Sequence, residues 1–312
     1  MTTHHHPDGF EPPRHAQEVS EGIYAFVQPD GSWWINNTGF LVGKRGVISV
    51  DACSTERRTR AYLEAIRSVT NLPVRTLLNT HHHGDHTFGN YLFPGATTIG
   101  REGIREAALA WGAPRSEPIW THVEWGDIEL EPAFVTFANE VVVYVDDLRA
   151  EFRSAGSAAH TTNDSYLWIP ERRLLFSGDL IFNGGTPFLV QGSISGAIGA
   201  LDQLRVLEPE VIVPGHGPVC GPEAIETVAG YLRFVQRLAH QGHDAGLTPL
   251  EVARESDLGE YAGLLDPERI VGNLHRAYAE LDGVPPGGPI DLQAAIGDMI
   301  AYNGGKPLTC YA

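Results

Sequence analysis

The sequence is poor in cysteine and carries no recognisable export signal. Its three cysteines, Cys53, Cys220 and Cys310, are far apart in a chain of 312 residues. An odd number at wide spacing argues against a disulfide framework and favours a reducing compartment. The polar N-terminus has no basic segment followed by an apolar stretch, so no secretory signal is predicted. A cytoplasmic location is therefore expected.

Positive charge and long apolar runs are also scarce. Lys and Arg number 22 against 39 Asp and Glu, which gives a formal net charge of −17. A surface this acidic repels phosphate backbones, so a nucleic-acid partner is not expected. No stretch approaches the roughly 18 apolar residues that a membrane helix requires, so no membrane partner is expected either.

Hydrophobic periodicity divides the chain into three parts. Residues 1–18 lack periodicity and are predicted to be a flexible arm. Residues 19–221 alternate short strands with helices in two strand-rich halves, which predicts one catalytic domain. Residues 222–312 change to helical patterns and predict an extension packed on that domain, with Asp266 and Pro267 opening one helix as its cap and first residue. The fold class is therefore α/β, an αββα sandwich of two sheets with helices outside.

The most informative stretch is the sequence Thr-His-His-His-Gly-Asp-His at residues 80–86, directly after an apolar strand. It supplies four candidate ligands, His81, His83, Asp85 and His86, within six residues. Histidine and aspartate suit Zn²⁺, with Mn²⁺ and Fe²⁺ as alternatives. A surface histidine run is the competing interpretation of this stretch taken alone.

Three later residues weaken that competing interpretation. His160, Asp179 and His216 each follow an apolar strand and lie beside or near a glycine. Since strands of one sheet can end at a common edge, this recurrence predicts that the three residues join the cluster. Histidines that are merely hydrogen-bonded inside a hydrophobic core would not be expected to occur repeatedly after strands and near glycines.

These residues resemble the motifs of the metallo-β-lactamase superfamily, which implies that superfamily's fold with a C-terminal helical extension. The resemblance implies a binuclear centre of two Zn²⁺, and His82 is expected to point away from it. It assigns one metal to His81, His83 and His160, the other to Asp85, His86 and His216, and a bridging role to Asp179. It also implies that Asp51 holds a ligand imidazole by a hydrogen bond.

Two metal ions about 3.5–4 Å apart lower the pKa of a shared water and polarise a substrate oxygen. Metal-hydroxide and Lewis-acid chemistry of this kind predicts attack on an ester, thioester, lactone or amide carbonyl. Asp85 is the predicted catalytic residue, because it can orient the attacking water and accept its proton. With a bridging aspartate at position 179, the chain resembles the glyoxalase II, lactonase and thioesterase members of the superfamily. β-Lactamase activity is therefore the less favoured alternative.

A narrower resemblance points to the lactamase-type cyclases of bacterial aromatic polyketide biosynthesis. It rests on residues 159–164, on Gly178 and Asp179, on Asn183, Thr186 and Phe188, and on the tail at residues 301–305. It implies a cyclase or thioesterase acting on a poly-β-ketone that is free or bound to an acyl carrier protein. An acidic carrier would need a local basic patch, for which the candidates are Arg101, Arg105, Arg149 and Arg153.

A flat intermediate would suit an aromatic pocket, although each aromatic residue could instead pack in the core. The candidate walls are Trp33, Trp34, Trp111, Trp120, Trp125, Phe182 and Phe188. The residues predicted to bind substrate are Trp33, Trp34, Asn183, Thr186 and Phe188.

Two other functions compete with the cyclase and thioesterase hypothesis. A general metallohydrolase would cleave a small lactone, ester or glutathione thioester, and Arg233 and Arg237 are the candidates to hold glutathione carboxylates. A protein that binds metal without catalysis would be expected to lack ligands, yet every expected ligand is present. A homodimer through the C-terminal helices is a further expectation.

Overall fold

The computed structural model describes residues 11–114 and 119–312, which form two β-sheets with helices on their outer faces. The first ten residues of the predicted flexible arm lie outside the described residues. The first strand begins at Gln17, so Gln17 and Glu18 of that predicted arm belong to a sheet.

The first sheet has seven strands in chain order. β1 to β4 pair antiparallel, and β4 to β7 pair parallel. The parallel half brings several strand carboxyl ends to one edge, which is where a site can be assembled. The strands are β1 (Gln17–Ser20), β2 (Ile23–Phe26), β3 (Thr38–Val42), β4 (Val47–Val50), β5 (Val74–Leu78), β6 (Thr97–Arg101) and β7 (Val135–Phe137).

The second sheet has five strands in the order β12-β11-β10-β9-β8. β11 pairs parallel with β12, and the other pairs are antiparallel. All nine residues of β11 are buried, because this strand lies between the other sheet and the outer helices. The strands are β8 (Glu140–Val145), β9 (Leu148–Ser154), β10 (Ser165–Ile169), β11 (Leu174–Phe182) and β12 (Val211–His216).

The two sheets share an apolar core. Leu41 and Val50 of the first sheet pack with Phe152 and Leu167 of the second. Gly39 permits the sheets to approach, since a Cβ there would lie 2.2 Å from Phe176 Cε1. Burial of this apolar area is the main term that holds the sheets together.

Eight α-helices occur among the described residues. Tyr62 and Ile66 of α1 pack against the outer face of the first sheet. Leu201 of α4 and Val228 of α5 pack against the second. The predicted αββα sandwich is therefore confirmed, with further helices after it. The helices are α1 (Glu56–Val69), α2 (Gly84–Thr87), α3 (Ile104–Trp111), α4 (Ile194–Val206), α5 (Glu223–Asp244), α6 (Pro249–Glu255), α7 (Arg269–Leu281) and α8 (Leu292–Tyr302).

The start of α7 corrects the predicted cap. The helix begins at Arg269 with Glu268 as its cap residue, two residues later than Asp266 would give. Asp266 has a φ of 52°, which is not the extended backbone of a helix cap, and its carboxylate pairs with Arg269 at 2.8 Å. The C-terminal helices contact the sandwich directly, because Ile270 and Leu274 share a core with Trp168 and Leu175. Among the described residues, no helix has both the length and the apolar character needed to cross a bilayer.

Candidate metal centre

The metal-ligand candidates come from both sheets and from the segments that follow their strands. His81, His83, Asp85 and His86 follow β5 in a tight turn that continues into α2, and His216 is the last residue of β12. Asp179 lies inside β11 and does not follow the strand as predicted. Beside it Gly178 has a φ of 51° and the pairing register with β12 shifts, which sets Asp179 apart from regular strand geometry.

The structure brings all seven predicted ligands together. One group contains His81, His83, His160 and Asp179, and the other contains Asp85, His86 and His216; within each group the donor atoms lie within 4.8 Å of one another. Asp179 lies between the groups. Its Oδ1 is 3.1 Å from His86 Nε2, and its Oδ2 is 3.3 Å from both His160 Nε2 and His216 Nε2. A carboxylate in this position is suited to bridge two ions.

Each of the five histidines directs one ring nitrogen to the centre and has the other held by an acceptor. His81 Nδ1 lies 3.1 Å from Thr80 Oγ1, His83 Nε2 lies 2.6 Å from Gln191 Oε1, and His216 Nδ1 lies 3.1 Å from Gly31 O. His160 Nδ1 and His86 Nδ1 complete the set, with Phe188 O and Asp51 Oδ2 as acceptors. Such contacts fix the tautomer and the ring orientation that a metal requires.

Asp51 is placed where its predicted role requires it. Its Oδ2 accepts from His86 Nδ1 at 2.9 Å and from Thr80 Oγ1 at 2.8 Å, and its Oδ1 accepts from the Thr80 amide at 2.7 Å. Asp51 therefore ties together two residues of the histidine motif. His82 lies outside both donor groups, and its Nδ1 is 3.0 Å from Asn163 Nδ2.

The chemistry of the donors fits a transition-metal ion. His86 Nε2 and Asp179 Oδ1 lie 3.1 Å apart, yet neither forms a hydrogen bond of acceptable geometry in the described part of the chain. Buried polar atoms are nearly always hydrogen-bonded, so two such atoms that converge on one point fit ligands of a cation. Histidine nitrogens with carboxylate oxygens are the donors that zinc commonly takes. The site therefore suggests a metal cofactor, typically zinc.

The electrostatics of the cluster follow from burial and mutual contact. Burial alone lowers the pKa of His216, but the carboxylates of Asp179 and Asp85 oppose this and raise it to about 9. Burial raises the pKa of Asp85, yet His86 and His216 together lower it to about 2. The metal-free cluster thus holds protons on histidine beside ionised carboxylates, and an ion must displace those protons when it binds.

An aromatic cavity opens directly on the donor cluster. His83, Asp85, His160, Asp179 and His216 line it together with aromatic residues. Six of the seven predicted aromatic walls are present: Trp33, Trp34, Trp111, Trp120, Phe182 and Phe188. The seventh, Trp125, is not among its lining residues but packs against Trp34 with ring centroids 4.9 Å apart.

Two predicted substrate-binding residues do not line this cavity. Asn183 Nδ2 donates to Pro218 O at 2.9 Å, and the Asn183 amide continues the pairing of β11 with His216 O. Thr186 is buried, and its main chain binds Leu265 and Arg269. Both residues therefore join segments of the backbone outside the lining of the aromatic cavity, and their role in substrate binding stays a prediction.

The structure also adds three residues that sequence reasoning missed. Gln191 accepts from His83, as described above. Glu268 Oε1 accepts from Trp33 Nε1 at 2.6 Å, and the Arg269 guanidinium lies 3.9 Å from the centre of the Trp33 ring. Both Glu268 and Arg269 come from the C-terminal extension, which has no motif that signals proximity to a cavity formed by the sandwich.

Histidines and aspartates that converge at strand ends inside an αββα sandwich define a class of metal-dependent hydrolases. The chain belongs to the metallo-beta-lactamase superfamily, whose family model matches residues 31–216. All the predicted metal ligands fall inside this range, whereas Glu268 and Arg269 fall outside it.

Similarity to curated proteins is moderate and partial. Beta-lactamase-like protein 2 homolog of Caenorhabditis elegans is 29% identical over 205 residues, which cover 65% of this chain and 63% of that protein. The alpha subunit of a 2,4-dinitroanisole O-demethylase from a Nocardioides species is 31% identical over 56% of this chain and 51% of its own. A hydroxyacylglutathione hydrolase from Rhodospirillum rubrum is 31% identical over 47% of each chain. The matches thus span between 47% and 63% of these relatives' lengths.

Solved structures share the fold. A metallo-beta-lactamase from Pontibacter korlensis has a TM-score of 0.58 at 18% identity and covers 70% of this chain and 98% of its own. The lactamase FIM-1 from Pseudomonas aeruginosa, in its mono-zinc form, has a TM-score of 0.56 at 19% identity, covering 71% and 97%. At these identities the likeness establishes the fold alone.

Proposed function

We propose that this chain is a metal-dependent cyclase or thioesterase that acts on an aromatic polyketide intermediate, a poly-β-ketone that is free or carrier-bound. The aromatic cavity on the donor cluster is the observation that carries the proposal. A substrate carbonyl at the cluster would place the remaining flat, unsaturated skeleton among indole and phenyl rings.

The seven donors would hold two ions. One ion would be bound by His81, His83 and His160, and the other by Asp85, His86 and His216. Asp179 would lie between the two. Bound ions of this kind polarise a carbonyl oxygen and lower the pKa of a coordinated water to about 7. Asp85 lines the cavity, and the neighbouring His86 and His216 keep its carboxylate ionised although burial opposes this. We assign Asp85 the task of accepting the proton that the attacking water or the substrate α-carbon releases.

The cavity wall serves to orient the substrate and to exclude water. Trp33 packs edge-on against Trp120 and Phe188, with ring centroids 4.7 Å and 4.9 Å apart. Trp120 also packs edge-on against Trp34 at 5.7 Å. Interlocked rings of this kind form a rigid apolar wall, which favours a flat ligand and strengthens electrostatic interactions at the reacting carbonyl.

A second candidate is a general metallohydrolase of a small lactone, ester or glutathione thioester. The similarity to the hydroxyacylglutathione hydrolase of Rhodospirillum rubrum supports it. The two arginines predicted to hold glutathione carboxylates do not line the cavity, and Arg237 instead lies 5.8 Å from the Phe234 ring. The aromatic cavity therefore favours the bulkier substrate.

Presentation by an acyl carrier protein stays a prediction. The arginines expected to form a basic patch are engaged within the chain: Arg101 donates to Gly156 O and Arg105 to Ala133 O. Arg149 and Arg153 pair with Glu151. These contacts reduce the charge available to an acidic carrier, so a free or short thioester is the better first substrate to test.

A direct test compares three substrates with the zinc-loaded enzyme: a naphthoyl thioester of N-acetylcysteamine, S-lactoylglutathione and a chromogenic β-lactam. We expect the naphthoyl thioester to give the highest kcat/KM. Preferential turnover of S-lactoylglutathione would favour the second candidate, and preferential turnover of the β-lactam would contradict both. Ring closure is tested separately, by mass and ultraviolet spectra of products from a poly-β-ketone thioester.

A further inference from the structure

Two residues that line the aromatic cavity each carry a buried N–H group that has no hydrogen-bond partner in the described part of the chain. The two groups are Arg269 Nε and Trp34 Nε1. Buried donors are rarely left unpaired, because each loses its bonds to water without replacement. Two such donors on residues that line one cavity therefore point to a ligand with hydrogen-bond acceptors.

Arg269 is fixed in place by contacts that leave its Nε unused. The residue is 1% exposed and lies at the start of α7. Its Nη2 pairs with Asp266 Oδ2 at 2.8 Å, and its Nη1 donates to Thr186 O at 3.0 Å. Its guanidinium plane covers the Trp33 ring at 3.9 Å. Both terminal nitrogens of the guanidinium and one of its faces are thus engaged, whereas the Nε–H has no acceptor among the described residues.

Trp34 is held as firmly. Its backbone has a φ of 65°, which a non-glycine residue adopts only when its surroundings enforce it. Its ring stacks on Phe88 at 5.9 Å and packs edge-on against Trp125 at 4.9 Å and Trp120 at 5.7 Å. The indole N–H therefore cannot turn towards another acceptor without disturbing this group of rings.

We infer that Arg269 and Trp34 are specificity-determining residues that recognise an oxygen substituent on the ring system of the substrate. The ligand class is an aromatic skeleton bearing a phenol, enol or ring-ketone oxygen, which offers acceptor lone pairs to the two N–H groups. A site with fixed polar groups discriminates strongly against an analogue that leaves them unpaired. Arg269 lies outside residues 31–216, so this selectivity belongs to the C-terminal extension.

The inference rests on the proposed function in one respect, that the aromatic cavity is where substrate binds. The test therefore measures binding without turnover. Equilibrium dialysis of the zinc-loaded full chain compares 2-naphthol with 2-methylnaphthalene, which has nearly the same shape but lacks the oxygen. We expect 2-naphthol to bind the wild type about tenfold more tightly, which corresponds to one satisfied hydrogen bond.

Variants locate the source of the preference. Arg269→Lys keeps a cation near Asp266 but removes the Nε–H, so the ratio of the two dissociation constants should fall to within about threefold of unity. Arg276→Lys is the matched control, since Arg276 is a buried arginine of the same helix that does not line the aromatic cavity. That variant should retain the wild-type ratio.

A second pair of variants keeps the test decisive if Arg269→Lys does not fold. Trp34→Phe removes the indole N–H and retains a ring, whereas Trp125→Phe changes a neighbouring indole that does not line the cavity. Only Trp34→Phe should lower the preference for 2-naphthol. Equal binding of the two ligands to the wild type, or a ratio unchanged in both cavity variants, would overturn the inference. Lack of thioester turnover with the binding preference intact would overturn only the proposed function.

Discussion

The donor cluster and the aromatic wall line the same cavity, but different kinds of contact hold their side chains in place. In the cluster, the outer nitrogen of each histidine has an acceptor, such as Gln191 for His83 and Gly31 for His216. In the wall, packed rings fix the shape, and two N–H groups have no partner among residues 11–114 and 119–312. The cluster comes from residues 31–216, whereas part of the wall comes from the C-terminal helices. Under the proposed function, the cluster would determine the reaction and the wall would determine the substrate.

The strongest test of this division removes a cluster donor. His83→Ala and Asp85→Ala should each lower kcat by at least about 10³-fold, because the ion is lost or the proton acceptor is missing. Elemental analysis should give about two ions per wild-type chain, the number that a bridged centre holds, and fewer in His83→Ala. His82→Gln is the matched control from the same motif and should retain most metal and activity. Full activity of metal-free protein would contradict the assignment.

A smaller effect is expected for Asp51, which forms a hydrogen bond with the predicted ligand His86 and is not itself a predicted ligand. Asp51→Asn cannot accept from both His86 and Thr80 as a carboxylate does, so metal affinity or kcat should fall about 10- to 100-fold. Titration with a competing chelator measures the affinity. An unchanged affinity together with unchanged kcat would show that Asp51 only supports the fold.

On the wall, the hydrogen bond between Trp33 and Glu268 links the sandwich to the C-terminal helices. Glu268→Ala should lower the free energy of unfolding by about 1.5–3 kcal/mol, since a bond to a charged acceptor is lost. KM for the naphthoyl thioester should rise while kcat changes little. The double variant with Trp33→Phe should cost less than the sum of the two single variants. Strict additivity, measured by urea unfolding, would mean that this bond does not couple the two parts.

A further effect on stability concerns pH and the segment between β9 and β10, which carries His160. Burial raises the pKa of Asp164 to about 6, although bonds from Thr161 oppose the shift. The folded state thus holds this proton more tightly than the unfolded chain. The resulting stability is complete below about pH 4 and is lost as the pH rises through about 6, on the order of 1 kcal/mol per unit.

Asp164→Asn cannot titrate and supplies the reference for that prediction. The free energy of unfolding of metal-free wild type, relative to the variant, should decline between about pH 4 and 6. Guanidinium unfolding of both proteins across this range provides the measurement. A difference that is flat with pH would remove the assigned protonation of Asp164.

The cluster was predictable from sequence because its members carry local signals. His81 to His86 follow one apolar strand, and His160, Asp179 and His216 stand near glycines after others. The aromatic wall was predictable in part, since tryptophans in a loop beside a metal motif are conspicuous. Its polar contacts were not, because nothing in the local sequence brings Glu268 to Trp33 across 235 positions. Contacts of that kind are set by the packing of helices on a sheet, which no short pattern encodes.

The substrate-binding roles predicted for Asn183 and Thr186 came from a family resemblance, which carries no information on the local path of the backbone. β11 continues through residue 182, however, and the backbone then turns to pair with Leu265. These two residues consequently support the joint between sandwich and helices.

Leu308 forms a strand-like bridge with Trp120 and lines the aromatic cavity. All seven donors precede it in the sequence, the last being His216. Because chains emerge and fold from the N-terminus during synthesis, the ion-binding half can assemble while the cavity is still open on one side.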